Sequence, residues 1–296
     1  ELGVDSLEWM TMTLELRDRV GVDLPEEAVP RIGTVRDLLR ETVEAEQAIG
    51  SAVDPMVQLK KPEALLDARQ QHWLRPRGWF LRRLGRTLHF LDRFLMHTFF
   101  PVEVHGLEHL PARGPWVLIA NHASLLDPPA LYAILSTDTL THTYWGGWTG
   151  IMFRNPVMRL VSRATQVLPI DQSSRPLANL ALGATALAHG HNLVWFPEGG
   201  RSLDGTLHPF QPGIGLIVTA HPVPIIPAHI EGSFVALPPG TWRPHRGPIR
   251  IVFGQALDPN TLAGPSQGAD RYRRIAAALH DQVAALGGRH DPSQDG

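Results

Sequence analysis

Four short apolar runs, each bounded by Gly, Pro or Asn, set the strongest limit on how this chain of 296 residues can fold. Runs of this length are typical of strands that are buried on both faces. The runs occupy residues 116–120, 192–196, 224–228 and 249–253. Helical stretches lie between or after them, at residues 128–135, 177–189 and 269–286. Because strands that alternate with helices build layered structures, the sequence predicts an α/β fold.

The distribution of charge divides the chain into two modules. Residues 1–48 contain 12 acidic residues and five Arg, whereas the rest of the chain contains 22 basic and 17 acidic residues. Between the modules the apolar periodicity is lost, so residues 49–71 are predicted to be a linker with one short helix at 62–71. The larger module spans residues 72–286, and the polar residues 287–296 are predicted to be a disordered tail.

Composition excludes several classes of protein. Because the chain contains no Cys, it has neither a disulfide framework, nor a thiol nucleophile, nor a Cys-ligated metal site. A net charge of −2 argues against a protein that binds nucleic acid through bulk charge. No apolar run approaches the roughly 20 residues of a membrane-spanning helix, so we expect no single-pass anchor. We also expect no signal peptide at the first residues, which are neither basic nor apolar.

The acidic module begins with a short motif that ends in Ser6. An amphipathic helix follows Ser6, and Thr34 is placed to cap a second helix at 35–46. The stretches 2–8, 14–16, 22–25 and 32–38 together resemble acyl carrier proteins. The resemblance implies a small all-α carrier domain at residues 1–48, with 4′-phosphopantetheine bound covalently to Ser6. Only five residues precede Ser6, so we expect a partial domain from a longer protein. Alternatively, Ser6 is only an N-cap.

Residues 72–100 form a basic and aromatic segment. They include six Arg, a single Asp and seven Trp or Phe residues. This composition suits a helix that lies in the headgroup plane of a membrane, with Arg on anionic lipid and aromatic rings toward the acyl chains. The alternative is an ordinary amphipathic helix that covers the sheet. The number of aromatic residues exceeds what one core face needs, which favours membrane contact.

His122 and Asp127 lie between a predicted strand and a predicted helix. On one helix or one strand, residues five apart point to different sides, so these side chains meet only across a turn. The two prolines after Asp127 favour a helix with Asp127 as N-cap and His122 in the preceding loop. A carboxylate beside a neutral imidazole makes His122 a candidate general base. The spacing alone occurs by chance, and His290 and Asp295 repeat it in the tail without an assigned role.

Three further motifs follow in order along the chain, at residues 196–202, 210–215 and 223–227. Together with His122 and Asp127, they resemble the glycerolipid acyltransferases of the lysophosphatidate acyltransferase (PlsC-like) type. The resemblance covers roughly residues 80–260. It implies a mixed sheet flanked by helices, and transfer of a fatty acyl group from a thioester to the hydroxyl of glycerol-3-phosphate or a lysophospholipid.

The same resemblance implies roles for single residues. His122 would deprotonate the acceptor hydroxyl while Asp127 orients the imidazole, with no covalent acyl-enzyme and no metal. Glu198 and Arg201 would bind the acceptor, with Arg201 on its phosphate, and Gly199 would allow a close backbone turn. The acyl donor would be an acyl carrier thioester or acyl-CoA. The expected location is cytoplasmic, on the inner face of the cell membrane.

The chain departs from the family at three positions. Gln166 and Gln172 stand where the family usually has Gly and Arg, and Gly200 replaces the usual Thr. One phosphate ligand is therefore missing, and Arg175 is the candidate substitute.

Several alternatives remain open from the sequence. The acceptor could be a lipid hydroxyl without a phosphate, and the fold could serve a non-catalytic module that binds acyl groups or carriers, or a thioesterase. Trp145 and Trp148 could line an acyl tunnel, although core packing is the preferred interpretation. Phe196 is interpreted as packing at the end of a strand.

Overall fold

The computed structural model describes residues 55–171, 176–264, 266 and 268–288, together with Thr34 and Asp37. The chain divides into two compact units, Glu1–Pro55 and Met56–Gly296. In the first unit, the backbone N–H of Asp37 donates to Thr34 Oγ1 at 3.2 Å, the contact expected of an N-cap. Ser6 and most of the predicted carrier domain lie outside the described residues.

The larger unit is built on a mixed sheet of seven strands. The strands are β1 (Val102–His105), β2 (Val117–Ala120), β3 (Thr143–Trp148), β4 (Val167–Ile170), β5 (Asn192–Trp195), β6 (Ile225–Glu231) and β7 (Ile249–Phe253). They lie in the order β1-β7-β6-β2-β5-β3-β4, and each neighbouring pair is parallel except β6 and β7. The predicted mixed sheet flanked by helices is therefore confirmed.

Helices connect most of the strands and cover both faces of the sheet. They are α1 (Pro55–Leu59), α2 (Ala68–Leu74), α3 (Trp79–Phe99), α4 (Asp127–Ile134), α5 (Thr137–Thr141), α6 (Thr149–Met152), α7 (Pro156–Thr165), α8 (Pro176–Ala188), α9 (Gly213–Ala220), α10 (Ser233–Ala236), α11 (Pro259–Leu262) and α12 (Gly268–Gly287). Short 3-10 turns occupy Pro62–Leu65 and Leu107–His109.

Each face of the sheet has its own hydrophobic core. On β2, Val117 and Ile119 point into one core, which α8, α9 and α12 cover. Leu118 and Ala120 point into the other core, beneath α3 and α4. All four side chains are fully buried, and burial of a large aliphatic side chain contributes about 2 kcal/mol to stability. Burial on both faces explains why the predicted strands read as continuous apolar runs.

The boundary between the units, at Pro55, falls within the predicted linker at 49–71, and most of that linker belongs to the larger unit. Residues from Met56 onward belong to the larger unit, and Leu59, Leu66 and Leu74 are buried in its core. A 3-10 turn and the separate helix α2 replace the predicted single helix at 62–71. Each of these leucines lies in or next to a different short helix, so the sequence of this region shows no helical period of apolar residues.

The remaining differences concern short or irregular elements. The basic segment 72–100 is divided, because α2 ends before Pro76 and α3 begins after it. Three strands, β1, β3 and β4, were not predicted. Helix α12 extends to Gly287, one residue into the predicted tail, and residues 289–296 lie outside the described part. Within the described residues, no helix is both long and apolar enough to cross a bilayer.

Candidate active site

The loops that follow β2 and β5 meet at one edge of the sheet. These strands are parallel neighbours, with Ile119 paired to Trp195, so their carboxyl ends lie side by side. The loop after β2 contains His122, and the loop after β5 contains Glu198 and Arg201. Open α/β sheets bind ligands outside the carboxyl ends of their strands. This edge is therefore the candidate active site.

His122 and Asp127 form a hydrogen-bonded pair at this edge. His122 Nδ1 lies 2.9 Å from Asp127 Oδ2. Because the carboxylate oxygen is an acceptor, Nδ1 is the protonated nitrogen of the neutral imidazole, and Nε2 keeps a free lone pair. The His122 side chain is 17% exposed and that of Asp127 is fully buried. The hydrogen bond between His122 and Asp127 is therefore largely buried, and His122 Nε2 is the basic nitrogen that remains for a substrate.

A tight loop holds the Asp127 carboxylate in place. Besides His122 Nδ1, its Oδ2 accepts the backbone N–H groups of Ala123 at 2.7 Å and Ser124 at 2.8 Å. The other oxygen, Oδ1, is buried and has no hydrogen-bond partner in the described part of the chain. Three donors on one oxygen fix the carboxylate, which in turn fixes the imidazole ring.

The predicted N-cap role of Asp127 is wrong. Helix α4 begins at Asp127 itself, and Leu126 occupies the N-cap position without a side-chain cap. An N-cap carboxylate needs an N–H two or three residues ahead. Pro129 has no N–H, and the N–H of Ala130 donates to the carbonyl of Leu126 at 2.8 Å. The carboxylate therefore turns back to the preceding loop.

Glu198 braces the backbone on both sides of the site. Its Oε1 accepts the backbone N–H of His122 at 2.6 Å, and its Oε2 accepts that of His208 at 3.0 Å. Burial raises the pKa of Glu198, and the two backbone amides oppose part of that rise. Both carboxylate oxygens are thus engaged by the protein. The structure places Glu198 beneath His122, and direct contact of Glu198 with an acceptor stays a prediction.

Phe196 and Ser202 contact His122 directly and Asn121 fixes the chain beside it, roles that the sequence analysis did not assign. Phe196 stacks on the imidazole, with ring centroids 4.4 Å apart and planes 27° apart. The backbone N–H of Ser202 donates to the carbonyl of His122 at 2.7 Å. Asn121 pairs its side-chain amide with both backbone groups of Ile230 on β6, at 2.7 and 2.9 Å. The sequence did contain a signal for Phe196. It is the first residue after β5, as Asn121 is the first residue after β2, and both strands end at the edge where the site lies.

The predicted acceptor-binding residues differ in what surrounds them. Gly199 adopts φ +80°, a left-handed conformation that favours glycine. Arg201 is partly exposed and makes no hydrogen bond or ion pair with its side chain in the described chain, so its guanidinium is available to a ligand. The backbone N–H of its neighbour Ser202 donates to the carbonyl of His122, so Arg201 belongs to a loop that contacts the loop of His122. Arg175 and Gln172 lie outside the described residues.

Gln166, which stands where the resemblance led us to expect Gly, has a structural role. It ends α7 with φ 62°, in the left-handed region, and its buried side chain donates to the carbonyl of Thr143 at 2.6 Å. A left-handed backbone conformation favours glycine, which is the residue that the resemblance led us to expect at this position.

The two tryptophans of β3 have different surroundings. Trp145 is buried in the core beneath α3 and α4, as the core-packing interpretation predicts, whereas Trp148 is exposed.

Two parts of the chain match known families. Residues 101–231 match the family Acyltransferase, and residues 1–41 match the family Phosphopantetheine attachment site. The first match contains His122, Asp127 and Arg201, and the second contains Ser6.

The chain is also similar to individual proteins. A chloroplastic 1-acyl-sn-glycerol-3-phosphate acyltransferase of Brassica napus is 31% identical over 167 residues, which are 55% of this chain and 46% of the relative. A 1-acyl-sn-glycerol-3-phosphate acyltransferase of Chlamydomonas reinhardtii is 29% identical over 188 residues, 61% of this chain and 53% of the relative. The chain thus spans about half the length of these relatives.

A solved structure shares the fold. The crystal structure of PlsC, the 1-acyl-sn-glycerophosphate acyltransferase from Thermotoga maritima, matches with a TM-score of 0.57 and 20% sequence identity. The match covers 71% of this chain and 83% of that one. The sheet and the matched families lead to one conclusion: the chain contains an acyltransferase domain of the PlsC-like family at residues 101–231, with a phosphopantetheine attachment-site domain at residues 1–41.

Proposed function

We propose that this protein transfers a fatty acyl group from a thioester to the hydroxyl of a 1-acyl-glycerol-3-phosphate, in phospholipid synthesis. The observation that carries the proposal is the His122–Asp127 pair, whose geometry leaves Nε2 unbonded at the ligand-binding edge of the sheet. The relatives from Brassica napus and Chlamydomonas reinhardtii are named for acyl transfer to this acceptor, which supports the choice of substrate.

The proposed reaction needs one base and no covalent enzyme intermediate. His122 Nε2 takes the proton from the acceptor hydroxyl as its oxygen attacks the thioester carbonyl carbon. The C–S bond then breaks, and the leaving thiolate takes the proton from the imidazolium. Asp127 keeps Nδ1 protonated and stabilises the positive charge that His122 gains. Phe196 and Glu198 hold the ring and the backbone of His122 during both proton transfers.

Arg201 is the proposed ligand of the acceptor phosphate. Its guanidinium has no partner in the described chain, and guanidinium groups bind phosphate oxygens through paired, charge-assisted hydrogen bonds. Gln172 in place of the usual Arg favours a second candidate acceptor, a lipid hydroxyl that bears no phosphate. Replacement of Arg201 distinguishes between these two candidate acceptors.

The carrier domain suggests the source of the acyl group. We propose that Ser6 bears 4′-phosphopantetheine and that the acyl thioester on it is a donor, since a tethered donor has a high effective concentration. Acyl-CoA is the alternative donor. A phosphopantetheine attachment-site match over residues 1–41 supports the first choice.

Helix α3 supports contact with a membrane surface. Trp79, Phe90 and Phe94 are 69%, 65% and 66% exposed, although His89 and Met96 on the opposite side of the helix are buried. A helix with one face in the core and aromatic rings on the other can cover the sheet and lie on lipid at once. A location on the inner face of the cell membrane stays a prediction.

Replacing the proposed base tests the function directly. We expect His122→Ala to lower kcat by about two to four orders of magnitude, because general-base catalysis is lost. The measurement is product formation from acyl-carrier and acyl-CoA donors with 1-acyl-glycerol-3-phosphate. His105→Ala, an exposed histidine on the edge strand β1, is the control and should retain activity. Full activity of His122→Ala would remove this residue from the reaction.

A change at Glu198 separates bracing from acceptor binding. Glu198→Gln replaces one acceptor oxygen with an NH₂ group, which cannot accept a backbone N–H. We expect kcat to fall by up to about 100-fold because His122 is displaced, with little change in the KM for the acceptor. A raised KM with unchanged kcat would instead show that Glu198 binds the acceptor.

A change at Arg201 tests the acceptor phosphate. Arg201→Gln should lower kcat/KM for 1-acyl-glycerol-3-phosphate by about 10- to 100-fold, because charge-assisted hydrogen bonds to the phosphate are lost. With a monoacylglycerol acceptor, the variant and the unaltered protein should have equal kcat/KM. An equal loss with both acceptors would contradict the assignment of Arg201 to the phosphate.

The modification of Ser6 is tested by intact mass. After incubation with CoA and a phosphopantetheinyl transferase, the full chain should gain the mass of one phosphopantetheine group, and Ser6→Ala should gain none. A full chain that contains a complete carrier domain and stays unmodified would defeat the assignment.

A further inference from the structure

A recess lined with arginines lies between α3, α4 and α5. It is a shallow recess that opens to solvent, and Arg77, Arg82, Arg86, His89, Tyr132 and Thr137 line most of it. We call it the arginine recess. Tyr132 lies near the carboxyl end of α4, whereas Asp127 begins that helix. The recess and the candidate active site are therefore at opposite ends of α4.

The arginine recess carries positive charge, although the carboxyl of Asp92, whose pKa burial raises to about 7, acts on its lining residue Tyr132. Its lining has no acidic side chain. Arg77 donates to the carbonyls of Ala164 at 2.5 Å and Thr141 at 3.3 Å, which fixes it in place without neutralising it. Arg82 and Arg86 are exposed, and neither side chain has a partner in the described chain. Burial lowers the pKa of Arg77, and the neighbouring Arg82 charge acts in the same direction. An anion in the recess would relieve this repulsion.

His89 provides an independent observation. Its side chain lines the recess and the residue is only 3% exposed, yet its Nδ1 has no hydrogen-bond partner in the described chain. Buried polar atoms are nearly always satisfied, and an unsatisfied one points to an absent ligand or water. The ring also has a hydrogen bond to the Tyr132 backbone, so the unpartnered Nδ1 is the nitrogen left for a ligand.

The position of the recess on α3 indicates where the anion comes from. Arg82 and Arg86 are one helical turn apart and lie between the buried side of α3, at His89, and the exposed aromatic side, at Trp79 and Phe90. If the aromatic side meets the acyl chains, this border lies at the depth of lipid headgroups. Headgroup phosphates are the anions present at that depth, and guanidinium groups match their geometry.

We propose that the arginine recess binds the phosphate group of an anionic phospholipid headgroup, separately from the acceptor at Arg201. This inference rests on the proposed contact of α3 with a membrane. Arg82 and Arg86 supply charged donors, Arg77 supplies a fixed donor, and His89 contributes its unpartnered Nδ1. Such a site orients the protein on the bilayer, because it holds one lipid in a defined position at the side of α3.

The first measurement is binding to vesicles of phosphatidylcholine with phosphatidylglycerol. Arg83→Gln, on the exposed side of the same helix and outside the recess, is the matched control with the same change in charge. It should raise Kd by about fivefold through surface charge alone. Arg86→Gln should raise Kd by about 50-fold, because charge-assisted hydrogen bonds are also lost. Equal losses for the two variants would show diffuse electrostatic attraction only and overturn the proposal.

The second measurement uses inorganic phosphate and the ¹⁵N resonances of the histidine rings in the full chain. Phosphate should shift the His89 signal to saturation, in the unaltered protein and in Arg83→Gln but not in Arg86→Gln. A shift of His89 without a selective vesicle defect in Arg86→Gln would indicate a site for a soluble phosphate compound and overturn the lipid assignment. Absence of a shift would remove His89 from the site and overturn the proposal.

Acyl transfer by the unaltered protein in neutral detergent micelles is measured in parallel. Neither binding measurement requires turnover, so loss of the proposed enzymatic function and loss of the proposed lipid site give different results.

Discussion

The candidate active site depends on one buried oxygen atom. Asp127 Oδ2 accepts His122 Nδ1 and the backbone N–H groups of Ala123 and Ser124, all within 2.9 Å. These three donors bend the loop between β2 and α4 back on itself, which is why residues five apart in sequence can meet. The same contacts fix the tautomer of His122 and leave Nε2 to act as the base. The hydrogen bonds of Asp127 Oδ2 thus determine both the backbone geometry of the loop and the protonation of His122.

A second set of contacts holds His122 from the neighbouring strand. In the loop after β5, the Phe196 ring stacks on the imidazole of His122, and the Glu198 carboxylate accepts the backbone N–H of His122. The backbone N–H of Ser202 donates to the carbonyl of His122. The loop can do so because β2 and β5 are parallel neighbours and end at the same edge. Glu198 is buried with a raised pKa, a cost that its two backbone donors partly offset. Glu198 thereby ties the loop after β5 to the loop after β2.

Helix α3 confirms one interpretation of its sequence pattern, the amphipathic helix that covers a sheet, whereas membrane contact stays a proposal. Its buried side packs against the hydrophobic core that α3 and α4 cover, as expected of an amphipathic helix on a sheet. Its other side leaves Trp79, Phe90 and Phe94 exposed. The border between the two sides carries Arg82 and Arg86. This arrangement brings cationic side chains, aromatic rings and the unpartnered nitrogen of His89 together at one surface.

The sequence by itself determined the α/β class, the positions of strands β2, β5, β6 and β7, and the pairing of His122 with Asp127. The strands rest on local signals, namely burial on both faces and strand-breaking residues, whereas the pairing of His122 with Asp127 rests on the ordered motifs that resemble the acyltransferase family. Tertiary structure alone decided the contacts of Glu198 and Phe196, the burial of Leu59 and the arginine recess. These depend on which strands are neighbours in the sheet and on residues far apart in sequence. Strands β1 and β3 were missed for the same reason: a four-residue edge strand and a strand with two glycines gain their stability from neighbours rather than from their own residues.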